Sequence, residues 1–313
     1  MKRRTIIQNL ILGGAASWAP RLFGETREDP QVYTVRSEVR LVLLDVSVTD
    51  GAGVFVPGLT KDNFRVLENG TLQQITVFAS EDLPVTVGIL VDESRSMAPQ
   101  RTDVILAAET FIAESNPQDE MFVLNFNDSV REGLPKDVAF SGDIRQLSAA
   151  LNRGVPQGRT ALYDAVISGL GQLKRGRHER RSLMVISDGG DTASRHSRRA
   201  MLDALEHSIA TVYTVGLFDA SDNDKDPAIL KLMASISGGQ ASFPANASAT
   251  TDVCRTFSKD IRTRYTVGYV PQPWNGGPLR QIRVIVTAGA RSKLITRART
   301  RYVYEGASSE DVG

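Results

Sequence analysis

A chain of 313 residues, 41% hydrophobic and 23% charged, exceeds the usual size of one domain and has the mix of an ordinary globular protein. Its formal net charge of +1 gives no general electrostatic case for nucleic acid or an anionic membrane as partner. A single cysteine, Cys254, excludes an internal disulfide framework and a cysteine-based zinc cluster, and three scattered histidines (His178, His196 and His207) leave little material for histidine catalysis or ligation.

The chain opens with the basic run Met1-Lys-Arg-Arg, followed by the modest apolar stretch Asn9-Leu-Ile-Leu-Gly-Gly-Ala-Ala-Ser-Trp-Ala19. That stretch is too short and too weakly apolar to span a bilayer, and the combination describes an export signal over residues 1–24. Arg3-Arg4-x-Ile6-Ile7 resembles the twin-arginine signal of bacteria. With no later apolar span, the expected product is exported and periplasmic or secreted, with no transmembrane span in the mature chain.

Residues 32–83 have a period of two. Val42, Leu44, Val46 and Val48 fall on one face of a half-buried strand, with Asp45, Ser47 and Thr49 on the other. Asp50-Gly51 predicts a turn into a return strand Val54-Phe-Val56, and Asn69-Gly70 a hairpin between Phe64-Arg-Val-Leu67 and Gln74-Ile-Thr-Val-Phe78. Some fifty residues form a marginal sheet core, so this unit needs a partner from elsewhere in the chain.

From residue 84 to 261, apolar runs alternate with helical patterns, which predicts a doubly wound, mostly parallel α/β sheet. Val85-Thr-Val-Gly-Ile-Leu-Val91 reads as a strand buried on both faces and ends in Asp92-x-Ser94-x-Ser96. Val104, Ile105, Ala108, Phe111 and Ile112 mark the next helix, and Met121-Phe-Val-Leu-Asn-Phe126 the next strand. A short hairpin over 130–140, helices over 143–152 and 160–170, and a strand over 181–187 ending in Asp188-Gly-Gly-Asp191 follow. A helix at 197–207, a strand at 211–217, a helix at 228–235, a short strand at 241–243 and a helix at 251–261 complete the alternation. Cys254 lies at helical spacing with Phe257 and Ile261, as a core thiol does.

Beyond residue 262 the period returns to two, in Tyr265-Thr-Val-Gly-Tyr269 and Ile282-Arg-Val-Ile-Val286. These strands complement the unit at 32–83, so one small antiparallel β-sandwich is expected from segments 32–83 and 262–305, with the α/β unit at 84–261 inserted and a disordered tail at 306–313. Arg280, Arg283, Arg291, Lys293, Arg297, Arg299 and Arg301 form a basic series expected to line a solvated strand face.

Right-handed crossovers bring the strand ends to the carboxyl edge, where open α/β sheets place their ligands. Three loops meet there, carrying Asp92, Ser94 and Ser96, then Thr160, then Asp188. Converging carboxylates are costly unless a cation neutralises them, and hard oxygen ligands suit magnesium, manganese or calcium. No P-loop, GxSxG elbow or HExxH motif is present. Ser221-Asp-Asn223 lacks a Ser-x-x-Lys partner, and the acidic loop 219–226 lacks the glycine and terminal glutamate of an EF-hand.

Asp92-x-Ser94-x-Ser96 with Thr160 and Asp188 resembles the metal-ion-dependent adhesion site of von Willebrand factor type A domains. Gly-x-Thr-Ala-Leu-Tyr-Asp-Ala and Ile-Ser-Asp-Gly-Gly-Asp are similar to that family's second and third motifs. The flanks Leu59-Thr-Lys-Asp-Asn-Phe64, Leu67-Glu-Asn-Gly70 and Tyr265-Thr-Val-Gly-Tyr-Val270 resemble a bacterial, exported branch of it. The resemblance implies a non-enzymatic, adhesion or scaffold type of module. Asp92, Ser94, Ser96, Thr160 and Asp188 would hold Mg2+ (or Mn2+ or Ca2+), leaving one position for an acidic side chain of a partner protein. Arg95 and Arg159 stand where the family commonly has glycine, and with Asp191 they are candidates for partner recognition. The rival readings are a hydrolase using Asp191 or Glu93 as base on a metal-activated water, and a structural domain whose site stays empty.

Overall fold

The computed structural model describes residues 41–80, 82–218, 224–288 and 294–304. Residues 1–24, expected to form an export signal, Ser221–Asn223 and residues 306–313 lie outside them, as do Arg291 and Lys293.

The first flank forms β1 (Val42–Thr49), β2 (Phe64–Glu68), β3 (Thr71–Gln73) and β4 (Ile75–Ala79). Leu44, Val46 and Val48 of β1 point into the core, as their alternation requires, yet Ser47 and Thr49 on the opposite face are buried as well. That face meets the helical unit, where the Ser47 hydroxyl donates to Asp260. The strand expected at Val54–Val56 is instead one isolated bridge, Thr49 to Phe55. The Asp50 carboxylate accepts from the amides of Ala52 and Val54, both at 2.9 Å, and curls the chain before a ladder can extend. Asn69-Gly70 does make the hairpin turn, with both residues at positive φ, but across that turn β2 pairs with the three-residue β3 and not with β4. At Gln74 the chain bends across the sandwich, and β4 enters the other sheet; a corner of this kind is how one strand serves two packed sheets.

The middle of the chain builds β5 (Val85–Asp92), α1 (Arg101–Ala113), β6 (Glu120–Phe126), β7 (Val130–Glu132), α2 (Ile144–Leu151), α3 (Leu162–Leu173) and β8 (Arg180–Ser187). It continues with α4 (Arg198–Glu206), β9 (Thr211–Gly216), α5 (Pro227–Ser237), β10 (Ala241–Ser242) and α6 (Ala247–Arg262). The six strands lie in the order β10-β9-β8-β5-β6-β7, parallel except for the edge strand β7. Every residue of β5, β6 and β9 is buried, which accounts for their predominantly apolar composition. Gly88 is needed in β5, because a Cβ there would stand 2.4 Å from the Phe122 ring. Helix α6 starts at Ala247, earlier than its apolar periodicity predicts, since the Asn246 side chain caps it by accepting from the Ala249 amide at 2.9 Å.

The last segment gives β11 (Tyr265–Tyr269), β12 (Leu279–Val286), β13 (Ile295–Arg297) and β14 (Arg301–Val303). Two four-stranded antiparallel sheets result, β13-β1-β11-β4 and β14-β12-β2-β3, each combining strands from both ends of the chain. Their shared core centres on Tyr265. Its ring lies 5.5, 5.1 and 5.7 Å from those of Phe55, Phe64 and Phe78, and its hydroxyl donates to the Val56 carbonyl at 2.7 Å.

The basic series is not a solvated face. Arg280 is buried against Glu68 at 3.1 Å, Arg297 reaches Asp260 at 2.9 Å, Arg301 reaches Glu206 at 2.6 Å, and Arg299 is buried beneath the Ser208 carbonyl. Of the described members, Arg283 alone keeps the exposure expected for the series. A period-two pattern cannot tell a solvent-facing arginine from one facing a neighbouring element that supplies a carboxylate.

Candidate functional site

Strand β5 lies between β8 and β6 and delivers Asp92 to the carboxyl edge of the sheet, fully buried. Its Oδ1 accepts from the Ser94 amide at 2.8 Å, an Asx turn that reverses the chain, and its Oδ2 accepts from the Ser187 hydroxyl at 2.6 Å. A 3-10 turn over Arg95–Met97 follows, with Met97 buried as its apolar anchor. The turn aligns Ser94 and Ser96 so that their Oγ atoms are 3.0 Å apart, and Ser96 Oγ donates to Asp188 Oδ2 at 2.5 Å.

Asp188 follows β8 in the same way, its Oδ1 accepting from the Gly190 amide at 2.8 Å. Gly189 has φ +88°, and a Cβ on it would come within 2.3 Å of the Asp226 carbonyl, so glycine is required at this turn. Thr160 arrives from the connector between α2 and α3. Its carbonyl accepts from the amides of Thr192 and Ala193 at 2.8 and 2.9 Å, which fixes the second loop against the third. Hydrogen bonds thus join Asp92, Ser94, Ser96 and Asp188 into one cluster, and backbone contacts hold Thr160 beside the loop that carries Asp188.

Burial pushes the Asp92 carboxyl up to about 7, and the nearby charge of Asp188 adds to the effect. The hydrogen bonds from Ser187 and Ser94 oppose the shift without reversing it. An ionised Asp92 is therefore short of positive charge. Among the described residues there is no group of three or more His, Cys, Asp or Glu side chains placed to hold a metal ion. The donor set is instead two carboxylates and neighbouring hydroxyls, a composition suited to a hard cation.

The three other predicted residues have distinct surroundings. Arg95 is exposed, and its amide donates to the Gly158 carbonyl at 3.2 Å. Arg159 is exposed and pairs with Asp128 at 3.0 Å, a surface pair worth little on its own. Asp191 is committed to structure: its Oδ1 accepts from the Tyr163 amide at 3.1 Å and from the Ser194 hydroxyl at 2.6 Å, at the start of α3.

Sequence reasoning missed two features. Asp164, in the first turn of α3, accepts from the amides of Arg195 and His196, both at 3.0 Å, and so staples the third loop to that helix. An acidic residue in the first turn of a helix was the available signal. Glu93, named as a possible base, is fully buried and paired with Arg131 at 2.8 Å and Arg101 at 3.2 Å. A carboxylate with no exposed surface and both oxygens turned to arginines is not placed to meet a water at the site.

The mostly parallel sheet with helices on both faces and oxygen side chains clustered at its carboxyl edge defines a doubly wound α/β fold. Residues 87–190 match the sequence profile of the von Willebrand factor type A domain, and the chain carries such a domain. No curated protein matches the chain by sequence. Among solved structures, a von Willebrand factor type A protein from Catenulispora acidiphila is similar at 14% identity and a TM-score of 0.50, over 86% of this chain and 75% of that one. The von Willebrand factor domain of the type V pili tip protein Mfa5 from Porphyromonas gingivalis aligns at 13% identity and a TM-score of 0.45, over 57% of this chain and 97% of that one. At such identities the likeness is one of fold.

Proposed function

We propose that the protein is a non-enzymatic, divalent-cation-dependent protein-binding module. The observation that carries this reading is the convergence of Asp92 and Asp188 with Ser94 and Ser96 at the carboxyl edge of the sheet. Octahedral magnesium at about 2.1 Å from its ligands sets neighbouring oxygens roughly 3 Å apart. The Ser94 and Ser96 hydroxyl oxygens are spaced at 3.0 Å, so this part of the cluster has the spacing of adjacent octahedral positions before any ion enters. Ser94, Ser96 and Asp92 would hold Mg2+ (or Mn2+ or Ca2+) from the first loop, with Thr160 and Asp188 completing the set directly or through water. The ion supplies an open coordination position that takes an acidic side chain of a partner protein.

Arg95 and Arg159 favour that partner further. The Arg95 amide is bonded to residue 158, and the Thr160 carbonyl to residues 192 and 193, so both arginines project from one tied set of loops beside the site. Arg159 can exchange its surface pairing with Asp128 for a carboxylate of the partner. The amino-terminal Arg3-Arg4-x-Ile6-Ile7 pattern supports export, so the partner is sought in the periplasm or outside the cell. No helix among the described residues is long and apolar enough to cross a membrane.

The test is a pull-down from envelope extract with and without Mg2+, comparing wild type with Asp92→Ala and Asp188→Ala. Retention of a partner only by wild type with the ion present is expected. Retention that is indifferent to chelator and to both substitutions would refute the reading.

A further inference from the structure

Glu93 sits in sequence between two members of the candidate cation set yet turns away from them into the protein, with no exposed surface. Its backbone is fixed on both sides: the amide donates to the Phe126 carbonyl at 2.7 Å, and the carbonyl accepts from the Gln157 amide at 2.8 Å. The carboxylate lies between two guanidinium groups, Arg131 at 2.8 Å and Arg101 at 3.2 Å. Each arginine then reaches a different loop. Arg131 donates to the Asn127 side chain at 3.1 Å, and the Asn127 carbonyl accepts from the Ala161 amide at 2.7 Å. Arg101 donates to the carbonyls of Leu151 and Gly154 at 2.7 and 3.0 Å. Space for the carboxylate exists because residue 154 is glycine, where a Cβ would stand 1.7 Å from Glu93 Oε1.

We propose that Glu93 is a positioning residue that clamps three loops together, the first metal loop, the turn after β6, and the connector carrying Thr160, and so sets the geometry in which a divalent cation binds. The inference rests on the cation site proposed above. A buried carboxylate with two arginines is a poor general source of stability, because desolvation offsets much of the attraction. What this arrangement supplies is fixed relative placement of segments whose ligands must meet within a few tenths of an ångström. Without the Glu93 charge, Arg101 and Arg131 also lose their counter-ion close to a site that has to accept a dication.

The probe is Mn2+, titrated by calorimetry into wild type, Glu93→Gln and Gly154→Ala, with backbone hydrogen exchange followed in parallel on the metal-free proteins. Glu93→Gln removes the charge, whereas Gly154→Ala keeps it and displaces it. Both are expected to weaken Mn2+ binding about tenfold or more, as loss of supporting groups around a metal site does. Both are also expected to raise exchange in residues 127–131 and 152–161 while β5 stays protected. If Glu93→Gln does not fold, Arg131→Gln, which removes a partner 44% exposed, tests the same clamp, with Arg131→Lys expected to restore affinity in part. Wild-type Mn2+ affinity and unchanged exchange in these variants would overturn the inference. Absence of Mn2+ binding by the wild type would overturn the cation site itself, and the exchange data would then decide the clamp separately.

Discussion

At the scale of the residue, Asp92 carries the account. Its carboxyl is pushed up to about 7, against an ordinary value near 4, by burial and by Asp188. Between those two pH values the folded chain retains a proton that the unfolded chain has released, so in the absence of metal stability falls as pH rises towards 7 and is flat beyond. Asp92→Asn removes that slope. In chelator at pH 7.5 its melting temperature is expected to be equal to or above that of wild type, and it should show no rise on adding Mg2+, whereas wild type rises. Thermal melts from pH 4 to 8 with EDTA or excess Mg2+ check both statements. A wild-type melting temperature that climbs from pH 5 to 7 in EDTA would contradict the electrostatic argument. The meeting of Asp92, Ser94, Ser96 and Asp188 was legible in the sequence because Asp92 and Asp188 each end a buried apolar run at the same edge of the sheet. The partners of Glu93 were not, because Arg101, Arg131 and Gly154 come together only once the loops have folded.

At the scale of the element, α6 shows how a helix is held by charges its own pattern does not reveal. Asp260, near its carboxyl-terminal end, is 6% exposed and bonded to Arg264 at 2.8 Å, Arg297 at 2.9 Å and the Tyr213 hydroxyl at 2.6 Å. Burial alone would raise its pKa, but the two guanidinium charges and the hydroxyl bonds outweigh burial and hold it well below the usual carboxylate range. Its contribution to stability is therefore present above the ordinary carboxylate pKa and is lost as pH falls through the depressed value, opposite in sign to Asp92. Asp260→Ala leaves the buried Arg264 and the half-buried Arg297 without their counter-ion and is expected to destabilise by about 3–5 kcal/mol in urea denaturation at pH 7. A loss below about 1 kcal/mol, the value of a surface pair, would contradict the burial argument. Asn246→Ala removes only the cap of the same helix and should cost about 1 kcal/mol in the same experiment. The helix itself was readable from its apolar spacing, but the bend that sends β4 into the opposite sheet was not. Gln73 and Ile75 keep the same alternation on either side of the crossing, so the sequence carries no mark of the change in partner.

At the scale of the whole molecule, the two sheets of the sandwich each need both ends of the chain. Strands β1 and β4 meet only through β11, and β2 takes β12 on the side away from β3. A chain ending at Arg262 is therefore expected to leave residues 42–79 without their partners, exposing Leu44, Val46 and Val66 to solvent, and to be cut there by trypsin far faster than in the six-stranded sheet. Comparable resistance of the two segments would show that the amino-terminal strands hold without β11 and β12. Tyr265→Ala, which empties the centre of this sandwich, should cost about 3–5 kcal/mol and leave the cation site in place. The complementarity of the two flanks could be anticipated because a fifty-residue period-two unit is too small to stand alone. The burial of Arg280 and Arg299 and the pairing of the half-buried Arg297 could not, since they depend on carboxylates and carbonyls more than thirty residues away in the chain.

The central claim is that the carboxyl edge of the sheet is a divalent-cation site through which a partner is bound. Calorimetric titration of Mn2+ into the wild type, Asp92→Ala and Asp188→Ala, each shown to be folded by circular dichroism, tests it most directly. Saturable binding of one ion by the wild type, lost in both variants, is expected. Identical titrations for all three proteins would contradict it.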